Sequence, residues 1–456
     1  AVAYGFSFSK EPIAGITPIE EMLAVDRAPA APRTAPVAAP ALRDGRGQEE
    51  LSGEFRAALA ARPAAETWGA GLAPLEMPLV VSGLSAGALE RARSFFSSLG
   101  FRAVRAGTSG QLPLAPAAAG PSVREGDAVG IQLVGGDLDI SAVGTATYVD
   151  GRKVLAFGHP LYNLGAVEYG LTQAEVIAVM PSLESSFKLA SPGPVIGRFT
   201  QDRTAGALGE VGVLPKSIPL NISLQTGPGV RQDFKLRLAA DRFLTPALVN
   251  IAVSSLVTSE ERSLGDISLE FDADVFLDKG GLSVHLEDLF TGSYDNPPVS
   301  LSGLLAAVVH YLMNNEIKDV GVFRIDLNVR AVEEARTATL ERVLLDKYEV
   351  SPGEPIKLQA FFRTQKEESL MQEVTVLAPA LPAGTEFQLL VGDAATMQQV
   401  ERAQYRIREV VPRNFVEGPA GNRALEQFRA GIGRLRGGRA AQGGEDVPQV
   451  GGRVSE

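Results

Sequence analysis

Between Asp127 and about Arg330 the chain is cut into short apolar runs by glycine-bearing turns. AVGIQLV, TATYV, KVLAF and IPLNISLQ are separated by GG, DG and GP pairs. Runs of this length, rich in Val, Ile, Tyr and Phe and closed by residues that accept a positive φ, pair as antiparallel strands. Because the turns recur so closely, the region is expected to form a barrel or sandwich with only a few helices. The longest apolar helical stretch, LLAAVVHYLM from Leu304 to Met313, falls well short of the ~20 residues that a bilayer crossing requires. No transmembrane segment is expected.

The rest of the chain differs from this β-rich block in kind. Its 456 residues leave room for roughly two to four cores. At the N-terminus, AVAYGFSFSKEPIAGITPIEEML begins with strand-like alternation, so residues 1–23 read as a strand and loop, and the chain as the downstream piece of a longer protein. Residues 24–65 are rich in Ala, Pro and Arg and read as a semi-rigid linker. Residues 66–120 contain MPLVVSGLSAGALERARSFFSSLGFRAV, a strand, turn, helix and second strand that make a small α/β unit. The β-rich domain then occupies 121–336. In residues 337–412, LLDKYEV, the turn SPGEP and IKLQAFF suggest a hairpin in an Ig-like β-sandwich. Residues 413–456 are low in complexity, with one short helix expected.

Charge and composition narrow the functional classes. A net charge of -11 argues against a nucleic-acid binder or an anionic-membrane binder, since phosphate contacts need clustered Lys and Arg. The absence of cysteine removes disulfides, thiolate metal sites and a cysteine nucleophile together. No metal-ligand spacing, phosphate-cradling loop or dinucleotide fingerprint occurs, so neither metal nor cofactor is expected.

With three histidines in the chain, each can be weighed separately. His310 lies in an apolar helix and reads as a core or interface residue, and His285, in LSVHLEDLF, as a strand residue beside acidic neighbours. His159 follows the apolar strand KVLAF between Gly158, which frees the backbone to turn, and Pro160, which fixes its exit. A histidine held in one orientation at a strand end suits a general base, although a structural histidine fits the same tripeptide. Gly83-Leu84-Ser85-Ala86-Gly87 matches the G-x-S-x-G nucleophile elbow between an expected strand and helix. Ser85 is thus the nucleophile of an alternative α/β-hydrolase-type esterase, or simply a helix cap in a Gly-rich turn. Ser185, Ser186, Lys188, Asp202 and Arg203 gather near Gly- and Pro-rich turns, either lining a cleft or forming a solvated ion-pair face.

Three blocks of sequence carry a resemblance to a known family. VGIQLVGGDLDISAVGTATYVDGRKVLAFGHPLYNLG resembles the histidine-bearing part of the SpoIVB-type serine peptidases, with Gly144-Thr145-Ala146-Thr147 and Gly158-His159 at the matching places. SSFKLASPGPVIGRFTQDRTAGALG resembles the family's next block, and AVAYGFSFSKEPIAGITPIEEM resembles the strand and loop that trail its Gly-Met-Ser-Gly-Ser-Pro nucleophile motif. That motif is not in the sequence, and the trailing strand precedes the histidine block, as in a permuted relative.

The resemblance implies a mainly β fold built on chymotrypsin-like barrels, with His159 as general base of a Ser/His/Asp triad and Asp202 a weaker candidate for the aspartate. It also implies a nucleophile-bearing segment upstream of Ala1, in cis or as a separate chain, without which peptide-bond hydrolysis is not expected. A protein or peptide substrate and an extracytoplasmic location, periplasm or cell envelope, follow from the same likeness. The contrasting expectation is a non-catalytic envelope binding or assembly protein on a peptidase-derived scaffold.

Overall fold

The computed structural model describes residues 2–5, 14–27, 73–74, 77–84, 86–97, 101–105, 123–180, 187–227, 230–260, 267–278, 281–292, 297–315, 320–334, 336, 338–364, 367–382, 384, 386–392 and 449–454. Strands β1 (Val2–Gly5), β2 (Ala14–Ile16) and β3 (Ala73–Pro74) form a small antiparallel sheet in the order β2-β1-β3. Helix α1 (Ile19–Arg27) follows, where a loop running into a linker at Ala24 was expected. Its sequence explains it: Glu20 and Glu21 lie in the first turn and Arg27 in the last, each opposing the helix dipole end beside it. The Pro18 carbonyl accepts the N–H of Met22 to open the first turn. Met22 and Val25 are then buried against Leu155 and Leu208, which fastens this segment to the β-rich domain.

Strand β4 (Met77–Ser82), helix α2 (Ala86–Ser97) and strand β5 (Phe101–Arg105) make the anticipated α/β unit, with β4 and β5 parallel. The unit does not stand apart. Strand β4 pairs antiparallel with Asp139–Ala142 and so joins the main sheet.

The centre of the molecule is a closed ring. Strands β6 (Ala128–Gly136), β7 (Asp139–Asp150), β8 (Lys153–Ala156), β9 (Gly165–Met180), β10 (Phe187–Arg203) and β11 (Gly206–Val211) pair antiparallel throughout. Their order is β6-β9-β10-β11-β8-β7, and the pairing of β6 with β7 closes it. Closure leaves these strands no free edge. It also accounts for the nearly unbroken burial along β6. One face of the strand meets the ring's core, and Val80, Val143 and Ala190 cluster under the start of β10 on the other.

Beyond the ring the strands lie open. Strands β12 (Ser217–Gly227) and β13 (Val230–Ala239), helix α3 (Leu244–Glu260), strands β14 (Ile267–Leu277) and β15 (Ser283–Gly292), helix α4 (Pro297–Met313) and strand β16 (Val322–Val332) form a sheet in the order β15-β14-β16-β12-β13. Strand β13 pairs with the far end of β6, from Leu236 opposite Gly136 to Leu238 opposite Val134. Alternation is strict on β12, where Ile218, Leu220, Ile222 and Leu224 are buried. They share one core with Leu248, Ala252 and Leu256 of α3 and with Leu301, Leu305 and Val309 of α4. On the other face polar side chains pair across strands, Asn221 with Asp326 at 2.7 Å and His285 with Asp274 at 3.0 Å. His285 is thus the strand residue beside acids that its neighbours suggest.

Strands β17 (Ala338–Leu345), β18 (Glu349–Val350), β19 (Pro355–Thr364), β20 (Ser369–Leu377), β21 (Glu386–Leu390) and β22 (Gln449–Val454) build the C-terminal module. Two three-stranded sheets, β17-β19-β20 and β18-β22-β21, share a core of Val343, Val350, Ile356 and Leu358 with Phe387 and Leu389 packed on it. Strands β17 and β19 pair antiparallel, but SPGEP is not the hairpin turn between them: β18 intervenes, and the turn leads from β18 in one sheet to β19 in the other. The last strand, Gln449–Val454, comes from the low-complexity tail; residues 393–448 lie outside the described residues. Among the described residues no helix is long and apolar enough to cross a membrane.

Candidate active site

His159 is displayed by a strained turn. Strand β8 ends at Ala156, and the N–H of Gly158 donates back to the Ala156 carbonyl at 3.0 Å across Phe157, whose φ is 73°. This is a three-residue turn of the positive-φ kind, which is rare and strained. Gly158 follows with φ 74°. A side-chain-bearing residue in the left-handed region costs about 1–3 kcal/mol and persists only where its surroundings over-determine it.

Those surroundings converge on the turn. The N–H of Phe157 donates to the Thr145 carbonyl at 3.2 Å, the Thr17 hydroxyl donates to the Gly158 carbonyl, and the Phe157 ring meets Phe199 edge-on at 6.0 Å. Gly144 makes room for that ring, since a Cβ there would lie 2.5 Å from its carbons. Gly144→Ala is therefore expected to cost about 1–3 kcal/mol as overpacking and to shift the Phe157 ring. That ring stands edge-to-face with His159 at 5.9 Å, so the movement should be read as a changed His159 Hε1 chemical shift; an unaltered signal in a folded variant would disprove the coupling.

The imidazole is half-buried, and its Nδ1 lies 3.1 Å from the Pro160 carbonyl. A carbonyl only accepts, so this bond assigns the proton to Nδ1 and leaves the Nε2 lone pair open. Burial holds the imidazole below its ordinary pKa, outweighing the opposing effect of the Pro160 bond. The ring is accordingly neutral at pH 7, the form a base needs.

Asp202, 0% exposed at the end of β10, belongs to the same loop by another route. Its carboxylate accepts the main-chain N–H groups of Leu161 and Tyr162, each at 2.7 Å, and that of Leu164 at 3.5 Å. The two residues are thus brought together through the backbone, while His159 Nδ1 turns to Pro160. Arg203 donates to Gln201 at 2.9 Å, and Lys188 reaches Thr145 Oγ1 at 2.6 Å with its pKa lowered by burial. Ser185 and Ser186 lie outside the described residues, as does Ser85. On either side of Ser85, β4 ends at Ser82 before Gly83 (φ 82°), and α2 begins at Ala86. His310 is half-buried near the end of α4, with Asn314 Nδ2 3.2 Å from its Nδ1 and its pKa lowered by desolvation.

The contribution of α1 and the residues just before it is not legible from motifs. Thr17 bonds the Gly158 carbonyl, and Asp26 pairs with Lys153 Nζ at 2.8 Å at the start of β8, so the N-terminal segment brackets the strand that presents His159. No family model matches the chain, and no curated protein or solved structure matches it.

Proposed function

We propose that this chain is the histidine-bearing portion of a SpoIVB-type serine endopeptidase, with His159 as general base. The observation that carries the reading is the presentation of His159: a neutral imidazole with Nδ1–H tied to a carbonyl, Nε2 open, on a turn whose strain is held from several sides. In the reaction, Nε2 takes the proton of a serine hydroxyl as its oxygen bonds the scissile carbonyl carbon. The same proton then passes to the departing amine, and a water, deprotonated by Nε2 in turn, releases the acyl group.

The placement of β1 favours an upstream source for that serine. Val2 lies opposite Ile16, the residue before Thr17, which is bonded to the turn before His159. The ring of six antiparallel strands is consistent with a chymotrypsin-like barrel, and the two facing sheets of the C-terminal module with an Ig-like sandwich. Both assignments are part of the proposal, as is the extracytoplasmic setting.

The test supplies residues bearing Gly-Met-Ser-Gly-Ser-Pro directly before Ala1 and treats the protein with a fluorophosphonate probe. Labelling of the motif serine is expected, and His159→Gln should slow it by a factor on the order of 10³ at an unchanged melting temperature. Absence of labelling, or equal labelling in the variant, would overturn the reading and leave the non-catalytic envelope role.

A further inference from the structure

A groove of about 460 Å³ opens beside the ring. It arises where the β9–β10 ladder is broken: Pro192 pairs with Ala174 and Val195 with Thr172, so Gly193 and Pro194 stand opposite Gln173 alone. Pro192 and Pro194 have no N–H to donate, and the extra residue bends β10 away from its partner. Ala174 and Pro194, both partly exposed, give the groove apolar surface, and Asp127 and Glu175 are the ionisable groups that line it. Both are exposed and acidic. The Asp127 carboxylate accepts the N–H of Arg124, at 2.8 Å, and neither carboxylate is in an ion pair among the described residues.

Two further features bear on what fits. Glu175 is followed along β9 by exposed Val176, Ile177 and Val179, at 39%, 65% and 63% exposure, so an apolar strip continues from the charged groove. The groove is also wired to the candidate active site. Ala146 donates to the Asp127 carbonyl at 2.9 Å and Gly126 to the Ala146 carbonyl at 2.8 Å, while the neighbouring Thr145 carbonyl holds Phe157, two residues before His159.

We propose that this groove binds an extended peptide segment carrying a lysine or arginine flanked by apolar residues, the basic side chain seated between Asp127 and Glu175. As the identity of a substrate, this rests on the peptidase reading; as a binding site, it stands without it. Charge complementarity selects the basic side chain, and the net charge of -11 assists its approach. The apolar surface and the Val176–Val179 strip take the flanking residues.

The experiment measures fluorescence anisotropy of a labelled nonapeptide of alanine and valine with one central arginine, against its counterpart with central glutamate. The arginine peptide is expected to bind at least tenfold more tightly. Asp127→Asn with Glu175→Gln should weaken it at least tenfold, whereas Glu287→Gln, on the distant strand β15, should leave it unchanged. Glu175→Gln alone is informative if the double variant is poorly folded. Equal affinity for the two peptides, no binding of either at millimolar concentration, or an equal loss with Glu287→Gln overturns the proposal. None of these results requires catalysis, so failure here is separate from failure of fluorophosphonate labelling.

Discussion

Asp202→Ala is expected to lower stability by about 4 kcal/mol, because it leaves buried N–H donors with no acceptor, each costing about 1–3 kcal/mol. The donors are those of Leu161 and Tyr162, both at 2.7 Å from a carboxylate that is itself 0% exposed. A side chain of alanine's size supplies neither oxygen. The loss should register as a lower denaturant midpoint at unchanged slope, together with faster amide exchange at residues 161 and 162. Asp202→Asn keeps one acceptor and should recover about half of the difference. Because the carboxylate acts on the loop's backbone, the His159 titration in a folded Asp202→Asn protein should stay below the ordinary histidine range; direct support of the ring by Asp202 predicts a further marked drop. Wild-type stability in Asp202→Ala would show that the loop is held by other contacts.

What the sequence made legible was local. The GG, DG and GP turns mark the ends of β6, β7 and β12, and the Gly158-His159-Pro160 tripeptide marks the loop, because turn chemistry depends on a few adjacent residues. Ring closure depends on which strands meet across long separations, and β6 pairing with both β7 and β9 leaves no trace in the turns. Helix α3 was hidden for another reason. LTPALVNIAVSSLVTSE is buried on most sides, so its apolar residues show no single face, and its β-branched content resembles a strand. At the site, the aspartate was visible but its partners were not: Asp202 lies 41 residues from Leu161, and nothing in its own surroundings says that it faces main-chain donors. The bracket formed by Thr17 and Asp26 spans more than a hundred residues to Gly158 and Lys153, which motif reading does not reach.

Asp139 should make the protein less stable as the pH rises from about 4 to about 6, by an amount that an asparagine in its place removes. Its side chain lies in the seam where β4, β6 and β7 meet, opposite Ser82 on β4, and is 8% exposed. Burial pushes its pKa from 3.8 up to about 6, against the lowering effect of hydrogen bonds from Ser141 Oγ at 2.7 Å and Gln132 Nε2 at 2.6 Å. Below the unfolded value both states hold the proton and the group contributes no difference. Between the two values the unfolded chain is ionised while the folded chain remains protonated, so the folded state binds more protons and stability falls with pH. Above the folded value the deficit is constant, at about 3 kcal/mol for a separation of roughly two pKa units. Asp139→Asn retains an acceptor for Ser141, and a flipped Gln132 amide can present its oxygen to the new NH₂. The variant should therefore match the native protein near pH 4 and exceed it by up to about 3 kcal/mol near pH 7, read as the difference between paired denaturation curves so that other titrating groups cancel. A difference that does not change with pH would mean that the carboxyl keeps its ordinary pKa in the folded protein, its two hydrogen bonds offsetting its burial.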